Sequence, residues 1–136
     1  GGKTTLVQNM LKVQASQGSI FRYVVVDVKQ EGDFDFLKEL KVNHVILSSL
    51  EKTLEFYKIL KLEVEEGRNV PTFIVFEEAP QYLDKGKFLN SKSLAKASAE
   101  LASIVETSLQ RWRSRQVFTL LTTQSMNITD WPIDTS

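Results

Sequence analysis

Four short apolar runs rich in β-branched and aromatic residues punctuate this 136-residue chain, at 21–26, 44–47, 72–76 and 117–123. Each is too short for a buried helix, and helical patterning occupies the stretches between them. Strands alternating with helices predict an α/β chain with a mainly parallel sheet flanked by helices, because parallel neighbours need a crossover connection. The run Phe21-Arg22-Tyr23-Val24-Val25-Val26 stops at Asp27, as a strand buried on both faces does.

The intervening patterns are specific enough to place helices. Helical spacing starts at Lys3, brings Leu6, Val7, Met10, Leu11 and Gln14 onto neighbouring turns, and ends at Gly18. A short helix or turn is expected over 34–40. Ser48 with Glu51 reads as a capping box for a helix over about 49–66, closed by Gly67. A polar stretch at 84–93 leads into a long helix with Leu94, Ala97, Leu101, Ile104, Val105, Leu109 and Trp112 on one face. The tail through Trp131 and Pro132 reads as loop.

Seventeen basic residues balance seventeen acidic ones, so no whole-chain basic field advertises nucleic acid. That leaves room for a motor that grips DNA with one loop per subunit. There is no cysteine, hence no disulfide framework and no thiolate metal site, and a cytoplasmic setting is expected. No apolar run approaches the roughly 20 residues that span a bilayer. Residues 1–136 are expected to form one partial domain, truncated at both ends, with the first strand and the start of its loop missing. Any membrane anchor would then lie outside this window, and the isolated piece is expected to be unstable or prone to aggregate.

Chemistry concentrates at the strand ends. Gly1-Gly2-Lys3-Thr4-Thr5 is the back half of a phosphate-binding loop, whose pattern ends Gly-Lys-Ser/Thr and opens a helix. Backbone N–H groups there wrap an anion, Lys3 reaches the outer phosphates, and Thr4 ligates Mg²⁺. The triplet alone is common by chance. It gains weight because Asp27, Glu77-Glu78 and Gln124 end three of the four strands, where ligands of open α/β sheets bind. Glu77 is expected to support the metal and Glu78 to activate water, with Gln124 sensing the γ-phosphate. A solvated acidic pair and a strand-capping amide are the plain alternatives.

Arg111, Arg113 and Arg115 crowd the end of the long helix. Arg113 is the candidate to reach a neighbouring subunit's site as an arginine finger, and cations favouring a helix C-terminus are the alternative. Asp27 is read as framing the pocket, and Lys29 as pairing with it or meeting a substrate, with solvated turn residues as the alternative. Lys85, Lys87, Lys92 and Lys96, with no acid between the first and last, read either as a phosphate-tracking loop or as a solvated face. His44, Trp112 and Trp131 read as packing residues.

The order G-G-K-T-T, V-V-V-D-V-K-x-E-G-D-F, I-V-F-E-E-A and L-L-T-T-Q resembles the FtsK–HerA superfamily of P-loop motors. Asp27-Val28-Lys29-Gln30 is similar to its D-P-K-G signature, with Val28 where Pro is usual and Gln30 where Gly is usual. Glu77-Glu78-Ala79 is similar to the E-E-A form of HerA-type translocases. Arg113 matches an Arg upstream of the T-Q strand, with Gln116 where Gly is often found. The resemblance implies a RecA-like P-loop NTPase core, ATP and Mg²⁺ bound between subunits of a homo-hexameric ring, and double-stranded DNA in the channel.

Three functions compete at this level. The first is an Mg²⁺-dependent ATPase that drives DNA translocation. The second is a nucleotide-gated scaffold subunit of a secretion or assembly complex, with little turnover. The third, another P-loop enzyme, is disfavoured: no N-K-x-D guanine motif is present, and paired glutamates suit water activation better than phosphorylation of an acceptor.

Overall fold

Along the strands, consecutive side chains divide between two separate cores. Val24, Val26, Ile74, Phe76 and Val117 pack in one, while Tyr23, Val25 and Val75 pack in the other. Such period-two alternation with both sets buried means a sheet covered on both faces. The computed structural model describes residues 2–18, 20–30, 32–40 and 42–123, with backbone alone at 2–4 and 15. Its strands are β1 (Arg22–Val26), β2 (His44–Leu47), β3 (Thr72–Phe76) and β4 (Val117–Leu121). They form one sheet in the order β2-β1-β3-β4, parallel throughout.

Five α-helices occupy the described residues: α1 (Gly2–Ser16), α2 (Phe36–Glu39), α3 (Leu50–Glu65), α4 (Pro80–Leu83) and α5 (Lys92–Arg111). Helices α3 and α5 cover one face through Leu54, Tyr57, Leu60, Leu101 and Val105. On the other face lie Val7 and Leu11 of α1 with Phe34 and Leu37. Leu60 is fully buried, so truncating it to Ala costs about 2–5 kcal/mol. No helix of the described residues is long and apolar enough to cross a membrane.

Local chemistry explains where the elements stop and where expectation needs correction. The cap of α3 is Ser49, not Ser48: its extended backbone lets its side chain accept from Lys52 N at 3.2 Å. Glu51 is then the second helical residue, one position short of a capping box. The Ser48 carbonyl instead accepts the Gln30 amide at 2.8 Å. At the far end, Gly67 (φ +69°) lets Arg68 N reach Glu63 O and Gly67 N reach Val64 O, the paired bonds of a Schellman stop.

The stretch 84–93 is not plain loop. It follows α4 and contains a 3₁₀ turn, Lys85–Phe88, before Ser91 caps α5. Strand β4 ends at Leu121 rather than at 123, because Thr122 turns its carbonyl to Ala79 N at 3.1 Å. Gln124 and the tail with Trp131 lie outside the described residues.

Candidate functional site

The carboxyl ends of all four strands are laced into one row. Asp27 N donates to Leu47 O at 2.8 Å, Glu77 N to Val26 O at 3.3 Å, and Thr122 N to Phe76 O at 3.0 Å. Val26, Phe76 and Leu121 share a register position and pack toward α3 and α5. Alternation therefore directs Asp27 and Glu77 to the opposite face, the one α1 covers. Neighbouring strands run about 4.8 Å apart, which brings the two acids side by side.

Both acids are only 5% exposed. Loss of water pushes the Asp27 carboxyl above its ordinary range. The Gln30 N–H, 3.1 Å from its Oδ1, and the Gly32 N–H partly offset this, while the charges of Asp33 and Asp35 add to it.

Glu78 is held differently. Its backbone sits in the left-handed region at φ +49°, which costs an L-residue about 1–2 kcal/mol. The turn is kept there by Ala79 N, which donates to Thr122 O, and by Gln81 N, which donates to the Glu78 carbonyl at 2.9 Å. The Glu78 side chain pairs with Lys29, Nζ to Oε1 3.8 Å, both side chains being less than a quarter exposed. Lys29 thus pairs with the acid after β3 rather than with Asp27. Sequence carries no signal for that partner, because sheet order alone makes the two strand ends adjacent.

Helix α1 runs antiparallel to β1, joined to it through a turn at Gly18 (φ +73°). Its amino end therefore lies at the carboxyl edge of the sheet, and Gln8 donates its side-chain amide to Asp33 O beyond β1. Gly2, Lys3 and Thr4 form the first helical turn as backbone, and Thr5 is exposed. A helix start leaves backbone N–H groups directed outward along its axis, a binding surface for anions. Gly1 and Gln124 lie outside the described residues.

Other sequence candidates sit elsewhere. Arg113 belongs to an exposed 3₁₀ turn, Arg113–Arg115, at the amino edge of the sheet, where Gln116 O accepts from Thr72 N. The length of β4, about 17 Å, separates it from Glu77 and Glu78 of the same chain. His44 directs Nδ1 to Val42 O at 2.8 Å, and Trp112 is 4% exposed in the core under α5. Among the described residues, no three His, Cys, Asp or Glu side chains gather as a metal centre. A cleft of about 490 Å³ adjoins Asp27 and is lined also by Asp35, Lys38, His44 and Ser48. Sequence reading missed it, since its walls come from β1, β2 and α2 together.

An all-parallel sheet flanked by helices, with its polar strand ends on one edge, is an α/β architecture consistent with a RecA-like fold. No protein-family model matches the chain, and no curated protein matches it. Among solved structures it is similar to the conjugation coupling protein TcpA of pCW3, determined as a monomer form with ATPγS. The TM-score is 0.64 at 18% identity, over 90% of this chain and 38% of that one. This distant likeness speaks for the fold, and the chain spans well under half the length of that neighbour.

Proposed function

We propose that the chain is the core of an Mg²⁺-dependent ATPase that moves double-stranded DNA, acting in a homo-hexameric ring. The observation that carries this reading is Glu78: an acid whose strained backbone holds it at the carboxyl edge, beside the buried Glu77. Strain at a non-glycine residue survives where the surroundings over-determine it, as they do at catalytic positions. The similarity in fold to a coupling protein solved with ATPγS supports the same reading.

The residues present fit magnesium ATP. Asp27 and Glu77 offer adjacent hard oxygen donors in a dry setting, where a cation relieves the cost of burying carboxylates, and one or two carboxylates plus phosphates suffice for Mg²⁺. When bound, the nucleotide supplies the phosphoanhydride and the metal neutralises charge on its outer oxygens. In this reading the α1 N–H groups with Gly1, Gly2, Lys3, Thr4 and Thr5 bind the phosphates, and Thr4 and Glu77 hold the metal side. Glu78 takes a proton from the attacking water at its carboxylate, and Gln124 senses the γ-phosphate and couples its presence to motion. Arg113 acts on the neighbouring subunit.

The test is Glu78→Gln in the full-length protein. ATP binding is expected to persist while hydrolysis falls by about 10²–10⁴, the usual contribution of a positioned base. Near-normal turnover would remove Glu78 from the mechanism. Turnover indifferent to duplex DNA at low salt would remove translocation.

A further inference from the structure

The segment 84–96 carries four lysines against one aspartate, a net of +3 in a chain whose total is zero. Lys85, Lys87, Lys92 and Lys96 are all exposed. Among the described residues none of them makes an ion pair, whereas Lys58 on α3 meets Glu100 at 3.1 Å. The one acid is engaged locally: Asp84 Oδ1 accepts from Gly86 N at 2.9 Å and so shapes the 3₁₀ turn.

This charge is arranged against its own interest. The first turn of α5 holds no acid, and Lys92 stands at its first position, where the helix dipole disfavours a cation. Lys96 follows four residues later on the same face, a repulsive spacing. An anion lying across the segment relieves both costs at once. The frame beneath is firm, since Leu83 is buried, Phe88 packs on the core, and Ser98 Oγ donates to Tyr82 O at 2.7 Å. Leu89, 87% exposed, projects beside the lysines, and a groove of about 420 Å³ runs between Lys85 and Lys92.

We propose that segment 84–96 is the surface that holds the phosphate backbone of duplex DNA. The proposal rests on the reading of the chain as a DNA-moving ATPase and names its contact surface. Helix α4, with Ala79, Pro80 and Leu83 buried, joins the Glu78 turn directly to Asp84. The water-activating turn and the lysines therefore belong to one packed unit, so displacement of the first moves the second. Lysines spaced on a rigid turn suit sequence-independent contact, the kind a moving motor requires.

The experiment is fluorescence anisotropy of the full-length protein with two unrelated duplexes of about 30 base pairs, titrated from about 50 to 200 mM salt. The variant is the triple Lys85→Gln, Lys87→Gln, Lys92→Gln, and the control is Lys58→Gln, Lys61→Gln on α3. Each lost phosphate contact lowers the salt slope by about one. The triple variant should therefore show a slope shallower by about two to three and at least a tenfold loss of affinity, equal for both sequences. ATPγS binding should be retained and the control should behave as wild type. Unchanged slope and affinity in the triple variant, with wild type binding normally, overturn this surface and leave the ATPase reading standing. Loss of binding to phosphatidylserine vesicles with DNA binding intact overturns it in favour of a membrane surface. A wild-type protein that binds no duplex at 50 mM salt overturns the translocase reading itself.

Discussion

Lys29 Nζ stands 3.8 Å from Glu78 Oε1, so the segment after β1 holds the acid after β3 by its charge. The pair links the two elements that the proposed reaction needs in one place. At that length it adds no more than about 1 kcal/mol to stability. Its consequence is positional: the ammonium restricts where the Glu78 carboxylate can lie.

Lys29→Gln loosens Glu78 and should therefore lower basal hydrolysis, on the order of tenfold, with KM for ATP unchanged and a stability loss below about 1 kcal/mol. Steady-state kinetics against ATP concentration reads both parameters. If ATP affinity falls instead and turnover holds, Lys29 contacts phosphate and is no restraint on Glu78.

Asp27→Asn tests the cost of a dry carboxylate. Burial raises the Asp27 carboxyl in the folded protein, so the folded state holds its proton more tightly than the unfolded chain does. Its contribution favours folding below the ordinary carboxylate range and is lost as pH rises through the raised value. The Asn variant, which still offers an oxygen to Gln30 N, should melt higher than wild type at pH 7. Calorimetry at pH 4 should find that gap narrowed, and an equal gap at both pH values would refute desolvation as the cause.

Two non-glycine residues, Gln30 and Gln116, have φ of +56° and +59°. Gln116 is exposed, so Gln116→Gly removes left-handed strain and should stabilise by about 0.5–1 kcal/mol after the entropy of glycine is counted. Gln30→Gly also loses the amide bond to Ser48 O, worth about 1 kcal/mol, and should come out near neutral. Urea melts of the two variants distinguish these outcomes, and equal gains would show that the Ser48 bond contributes nothing.

In the core, the Tyr57 hydroxyl and Thr119 Oγ1 are buried with no hydrogen bond of normal geometry. Burial pushes the phenol well above its usual range. Tyr57→Phe removes one of these groups and should raise stability by about 1 kcal/mol. A loss of that size in the same melts would mean that the two hydroxyls do bond to each other.

Strand placement was legible locally because a buried parallel strand is a short apolar run, and all four runs became neighbours in one sheet. Glycine stops were legible for the same reason: Gly18 and Gly67 both adopt the positive φ that ends a helix. The shift of the α3 cap from Ser48 to Ser49 was not, since two adjacent serines offer the same side chain and the Gln30–Ser48 contact fixes the register.

What the chain alone determined, then, is which residues are strands, which helices flank them, and which polar groups end each strand, all properties of neighbours in sequence. Tertiary structure decided that β3 lies beside β1, that Asp27 and Glu77 share a face with α1, and that Glu78 is bent toward Lys29. Those facts depend on sheet order and on hydrogen bonds between strand ends such as Ala79 to Thr122, and local patterning holds no record of contacts between distant residues.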